Sequence, residues 1–195
     1  MKKLPLFALY TLMLGITSHA LLNNIKDPAA SIRLERKMTL SLELAWNGLA
    51  GVGPVLSYYP IPKFGLDCGL GLGGAGYKLG IRGRYLFKND NLTPFIGAGA
   101  TMGTGTMGQE AGVNDQGSTI KVKMKSCPYI LLGGGLENIS QGGFFFQFHL
   151  GYALLLGDDK IEYTQGTPSS TMKKSLDLSV NGGVSIGLNV GYAFR

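Results

Sequence analysis

The sequence predicts an all-β fold, an eight-stranded antiparallel up-and-down transmembrane β-barrel with short turns at one end and longer loops at the other. Three observations predict it. Apolar residues recur with a period of two along several segments, several of which reach the ~9–11 residues that a tilted strand needs to cross hydrocarbon. The faces opposite those apolar rows carry mostly Gly, Ala and Ser, with few charges. Composition agrees: hydrophobic residues are 45% and charged residues 15% of 195, with 31 Gly, where a soluble chain carries about 25% charged residues and about half as much Gly.

Residues 1–20 read as an export signal to be removed. Lys2 and Lys3 form a positive start, an apolar stretch runs from Leu4 to Ile16, and Ser18-His19-Ala20 supplies the small residues before a cut. The stretch is too short to span a bilayer, which needs ~20 apolar residues, and Pro5 interrupts it. Residues 21–37 fit no strand and read as a flexible lead-in, so the barrel domain is expected over 38–195.

Strands are expected at about 38–46, 52–59, 64–72, 76–87, 93–104, 127–138, 144–156 and 182–194. The last shows the period best. Val184, Ile186, Leu188, Val190, Tyr192 and Phe194 share one face, opposite Ser185, Gly187, Asn189, Gly191, Ala193 and Arg195. In the first, Met38, Leu40, Leu42 and Leu44 alternate with Thr39, Ser41, Glu43 and Ala45. In the aromatic run, Phe144, Phe146, Phe148, Leu150, Tyr152 and Leu154 lie opposite Phe145, Gln147, His149, Gly151 and Ala153. Around Ile96 and Ile130 glycine blurs the pattern. In a soluble sandwich the second face would be rich in Lys, Glu and Thr meeting water; a small-residue face suits the narrow lumen of an eight-stranded barrel, which side chains fill.

The connections alternate. Residues 60–63 (Pro-Ile-Pro-Lys), 88–91 (Lys-Asn-Asp-Asn) and 140–143 (Ser-Gln-Gly-Gly) are tight turns. Two long polar loops are expected near 105–126 and 157–181, while the connections near 47–51 and 73–75 are unusually short. An even strand number with short turns at one end and longer loops at the other is the layout of outer-membrane barrels, which puts the turns in the periplasm and the loops outside.

The chain over residues 38 to 195 resembles the OmpA/OmpX-type small outer-membrane β-barrel superfamily. Ser185, Gly187, Val190 and Tyr192 match the spacing of the C-terminal assembly signal of such barrels, although Phe194 is penultimate here and Arg195 last. Thr93-Pro94-Phe95-Ile96-Gly97-Ala98-Gly99 resembles a strand opening common among them. The resemblance implies location in the bacterial outer membrane, contact with its lipid, and insertion by the barrel-assembly machinery after passage with periplasmic chaperones.

Five charges fall on lumen parity: Glu43, Asp67, Lys78, Arg82 and Arg84. Unpaired charge in a low-dielectric interior costs several kcal/mol, so they are expected to pair across the lumen as a structural plug; the competing reading is an anion-selective constriction. His149 is the only histidine after residue 20. Lipid-modifying barrels use His with Ser and an acid, but the next position on its face is Gly151, and a bland lumen histidine is expected. Gly69-Leu-Gly71-Leu-Gly73-Gly74 fits the G-x-G-x-x-G text without the strand-to-helix context that fingerprint requires. Cys68 and Cys127 have no metal-ligand spacing and fall on strands that are not neighbours, so no disulfide is expected. The formal charge is +6, with Lys and Arg spread rather than clustered, which argues against nucleic acid. No catalytic, cofactor or metal site is expected. The expected role is structural or surface contact through external loops, with a narrow solute pore and a lipid-modifying enzyme as alternatives.

Overall fold

The computed structural model describes residues 31–115, 118–157 and 160–195; the expected export signal and the first part of the lead-in, 21–30, lie outside them. A short helix, α1 (Ile32–Glu35), precedes β1 (Met38–Trp46), β2 (Val52–Ile61), β3 (Phe64–Gly73), β4 (Gly76–Leu86) and β5 (Leu92–Gly103). Then come β6 (Ala111–Asp115), β7 (Ser118–Met124), β8 (Cys127–Ile139), β9 (Phe144–Leu155), β10 (Ile161–Gln165), α2 (Ser170–Val180) and β11 (Gly183–Phe194).

Eight of the strands close into an antiparallel barrel in the order β1-β11-β9-β8-β5-β4-β3-β2. The seam runs unbroken from Met38 opposite Phe194 to Trp46 opposite Ile186. Closure leaves no edge, so every strand finds a ladder partner on both sides, as a sheet in hydrocarbon requires. The barrel strands begin and end within two residues of the expected bounds. The alternation also resolves as expected: Leu42, Leu188 and Ile81 point outward at 52%, 43% and 64% exposure, while Asn189, Gln147 and Arg84 point inward and are buried.

The interior is layered. At the turn end, Tyr59, Leu86, Phe95, Ile139, Phe145 and Ala193 pack with Ile32 of α1. At the loop end a second apolar cluster gathers Leu49, Val55, Tyr129, Leu131 and Ala153 with Val180 of α2. Asp67 lies between the two: on the inner face of β3, Gly65 before it meets Tyr59 and Gly69 after it meets Leu49.

The long connections are not plain polar loops, and here the sequence expectation is corrected. β6, β7 and β10 form a separate three-stranded sheet, ordered β10-β7-β6, at the loop end. Ile120 and Val122 alternate with Lys121 and Lys123, and the apolar pair packs against Leu176 and Met172 of α2. The helix starts where Ser169 caps it: the Ser169 hydroxyl accepts from the Met172 N–H at 3.2 Å and donates to Asp115 at 2.9 Å. Met172, Leu176 and Val180, four residues apart, make its buried row, and the Tyr129 hydroxyl donates to the Val180 carbonyl at 2.6 Å, seating the helix end on the barrel mouth. Sheet and helix together form a cap.

Candidate functional site

The lumen holds the densest chemistry, and strand register explains how it assembles. Asp67 on β3 stands directly opposite Arg82 on β4, with Arg84 the next inward residue along. On the far wall Glu137 of β8 stands opposite Gln147 of β9. Arg82 donates from Nε to Asp67 at 2.8 Å and from Nη2 to Gln147 at 2.9 Å. Arg84 reaches Asp67 at 2.7 Å with one nitrogen and crosses the lumen to Glu137 with the other. Arg33, from α1, completes the layer by donating to Glu137 at 2.8 Å and to the Asp90 carbonyl at 2.9 Å. Aromatic rings bracket the guanidinium groups: Arg84 lies 5.6 Å from the Tyr59 ring centre and 5.3 Å from that of Phe95. Three cations thus share two carboxylates, all of them buried.

Glu43 and Lys78 are buried in the lumen, but the structure does not bring them into this ion-pair layer. They hold a loop. The chain between β1 and β2 turns into the barrel through Asn47 at φ 51° and Gly51 at φ 75°, left-handed conformations open to Asn and Gly. The Glu43 carboxylate accepts from the Ala50 and Gly51 N–H groups, the latter at 3.0 Å. Lys78 donates to the Gly48 carbonyl at 2.9 Å, and Thr101 to that of Leu49 at 2.8 Å. Leu49 is fully buried. It has room because its neighbours lack side chains: a Cβ on Gly80 would stand 2.7 Å from Leu49 Cδ1, and one on Gly69 3.1 Å from Leu49 Cγ. The connection looked short in the sequence because it dips into the lumen rather than arching over it.

His149 is buried opposite Gly135 and Gly187, and neither ring nitrogen has a hydrogen-bond partner among the described residues. Beside it is a cavity of about 20 Å³, shared with Leu49, Arg82, Phe95 and Ser185, which is space for about one water. Ser185 makes no hydrogen bond to the imidazole, so the nucleophile–base contact that acyl chemistry needs is not formed. Cys68 is exposed on the outer wall, Cys127 is buried, and both are free thiols. Ser185 and Gly187 of the expected assembly signal face inward, and Val190, Tyr192 and Phe194 outward. Among the described residues no cluster of metal-ligating side chains occurs.

Sequence reasoning missed Glu137, Gln147 and Arg33. Glu137 has lumen parity within β8, but Gly133-Gly134-Gly135 beside it obscured the alternation. Arg33 lay in a segment without strand pattern; from Ser31 on, that segment closes the turn end of the barrel. Arg36 there donates to the Ala193 carbonyl at 2.6 Å and to that of Gln141 at 2.8 Å.

The outer wall has its own order. Tyr58, Tyr85, Phe87, Phe144, Tyr192 and Phe194 ring the turn end, and Trp46, Tyr77 and Tyr152 the loop end, all exposed. Leu, Ile and Val fill the band between them. On β4, Tyr77 to Tyr85 spans about 26 Å along the strand at ~3.3 Å per residue, or about 20 Å of height at a tilt of ~40°.

No protein-family model matches the sequence, and no curated protein matches it. Two solved structures are similar to it, both of small outer-membrane barrels. The N-terminal β-barrel domain of Pseudomonas aeruginosa OprF is 18% identical with a TM-score of 0.45, covering 80% of this chain and 95% of that one. Acinetobacter baumannii CarO is 10% identical with a TM-score of 0.43, covering 83% and 99%.

Proposed function

We propose that the chain is a bacterial outer-membrane barrel whose lumen is closed to solutes and whose role is non-catalytic, structural or surface contact made by the external cap. The observation that carries this is the filled interior beneath an apolar, aromatic-bordered wall. A band of ~25 Å between aromatic girdles is the mark of barrels in that membrane, and the wall described above comes close to it. Inside, two apolar clusters, an ion-pair layer and an inturned loop occupy the bore. Residues 1–20 would export the chain, and the terminal strand, with Ser185, Gly187, Val190, Tyr192 and Phe194, would present it to the assembly machinery.

Purified protein reconstituted in planar bilayers tests the reading. The expected outcome is faster SDS-gel migration of unboiled than boiled sample and no steady unitary conductance. Stable ion-selective channels would instead establish a narrow pore. Recovery of the protein in the soluble periplasmic fraction would remove the membrane reading altogether. A lipid A mass change abolished by His149→Ala would make it an enzyme.

A further inference from the structure

We propose that the cleft between α2 and β10 in the cap binds a small organic anion, a carboxylate or phosphate ester carrying an apolar body. The cleft measures about 430 Å³, within the ~300–1,000 Å³ of small-molecule sites. Its floor is apolar, from Leu155, Ile161 and Val180. Its polar groups converge from two elements: Lys160 and Tyr163 from the β10 side, Lys173 and Asp177 from α2.

Charge selects an anion. Among the described residues two ammonium groups face one carboxylate, and neither lysine forms an ion pair with a described residue. Lys173 and Asp177 are four residues apart in the order that favours mutual pairing less, and they do not pair. The Tyr163 hydroxyl is the second, independent observation. It is shielded from solvent and has no hydrogen-bond partner among the described residues, although a buried polar group left unpaired costs about 1–3 kcal/mol. Partial burial, and then the Asp177 carboxylate, raise its phenol above the ordinary value, so at neutral pH it keeps its proton and is a donor. A solvated rim would have no reason to hide that hydroxyl; a ligand oxygen between it and the two lysines would satisfy it. Cations on both walls and an apolar floor describe a molecule with one charged end and one greasy end.

The inference rests on the cap reading above only for where the ligand comes from, since binding by purified protein needs no orientation. The test is calorimetric titration of the detergent-solubilised full chain with benzoate, phenyl phosphate and their neutral counterpart benzyl alcohol. Both or either of the anions should bind more tightly than benzyl alcohol. Lys173→Gln, on an exposed helix position, should weaken that anion about fivefold, the loss of one partly solvated charge-assisted hydrogen bond. Tyr163→Phe keeps the ring, loses no existing bond, and should weaken it too. Preference for phenyl phosphate would assign a phosphorylated solute or lipid headgroup, and preference for benzoate a free carboxylate. Benzyl alcohol binding as well as the anions, no heat from any probe, or unchanged affinity in Lys173→Gln would each overturn the proposal. Biotinylation of the cap lysines on intact cells tests the surface reading separately: unreactive lysines with intact anion binding would sink the orientation and leave the site standing.

Discussion

Glu137→Gln keeps the shape of the central layer and removes one of its two negative charges. Arg33 and Arg84 both point at that carboxylate, and both are wholly buried. Arg84 retains Asp67. The amide keeps one acceptor oxygen and puts N–H groups in place of the other, so one of the two guanidinium groups loses its partner there; Arg33 then has only the carbonyls of Asp90 at 2.9 Å and Asn91 at 3.5 Å besides. Breaking a buried pair by removing one partner costs about 3–5 kcal/mol. Because Arg84 keeps one carboxylate, the lower end, about 3 kcal/mol, is expected. The assay is urea unfolding from lipid vesicles followed by fluorescence of Trp46, the one tryptophan in the sequence; at a slope of ~2 kcal/mol per molar the midpoint should fall by about 1.5 M. A companion variant isolates the cause. Glu137→Leu with Arg33→Met removes both charges of one pair for similar volume, and apolar replacement of buried pairs is often neutral or better. It should recover most of the loss. A midpoint unmoved in Glu137→Gln, or a double variant weaker than the single one, would refute uncompensated charge as the reason.

Arg82→Ala gives up bonds to Asp67 and Gln147 while Asp67 keeps Arg84, so about 2 kcal/mol should be lost in the same titration without any conductance appearing. Glu43→Gln weakens the grip on loop 47–51; a loss of about 1–2 kcal/mol and brief current openings in planar bilayers are expected, and silence in both would show that the loop is held by something else. Leu188→Lys places a charge on the outer wall in mid-strand and should cost about 2–4 kcal/mol in refolding into vesicles. The same change at Leu178, exposed on α2 of the cap, should stay within about 0.5 kcal/mol.

The barrel was legible because its signal is local. A period of two needs only neighbouring residues, and the seam between β1 and β11 follows once eight such segments must leave no edge. The sequence placed charges on a face without pairing them: register sets Asp67 opposite Arg82 on adjacent strands, whereas Arg84 reaches Glu137 two strands away and Arg33 arrives from outside the strand pattern. Glu43 and Lys78 were placed on the correct face but not with their partners, which are backbone groups of a loop whose inward turn depends on the absence of side chains at Gly69 and Gly80. The cap was missed for another reason. Its strands β6, β7 and β10 are short and half polar, and the apolar row of α2 spans only Met172, Leu176 and Val180, so each element is weak alone and gains its order from packing on the other.

The order of the charged residues along the chain gives the layer a timetable. Arg33, Asp67, Arg82 and Arg84 are all present once β4 exists, but Glu137 comes only with β8, beyond the first two strands of the cap. Of the groups that make the central layer, the chain as far as β5 supplies three guanidinium groups and one carboxylate. Buried charge without a partner is costly, so the layer comes closer to balance only when the second half of the chain supplies Glu137. The closed ring, and not its first half, is thus the smallest piece of the chain in which these buried charges all find partners.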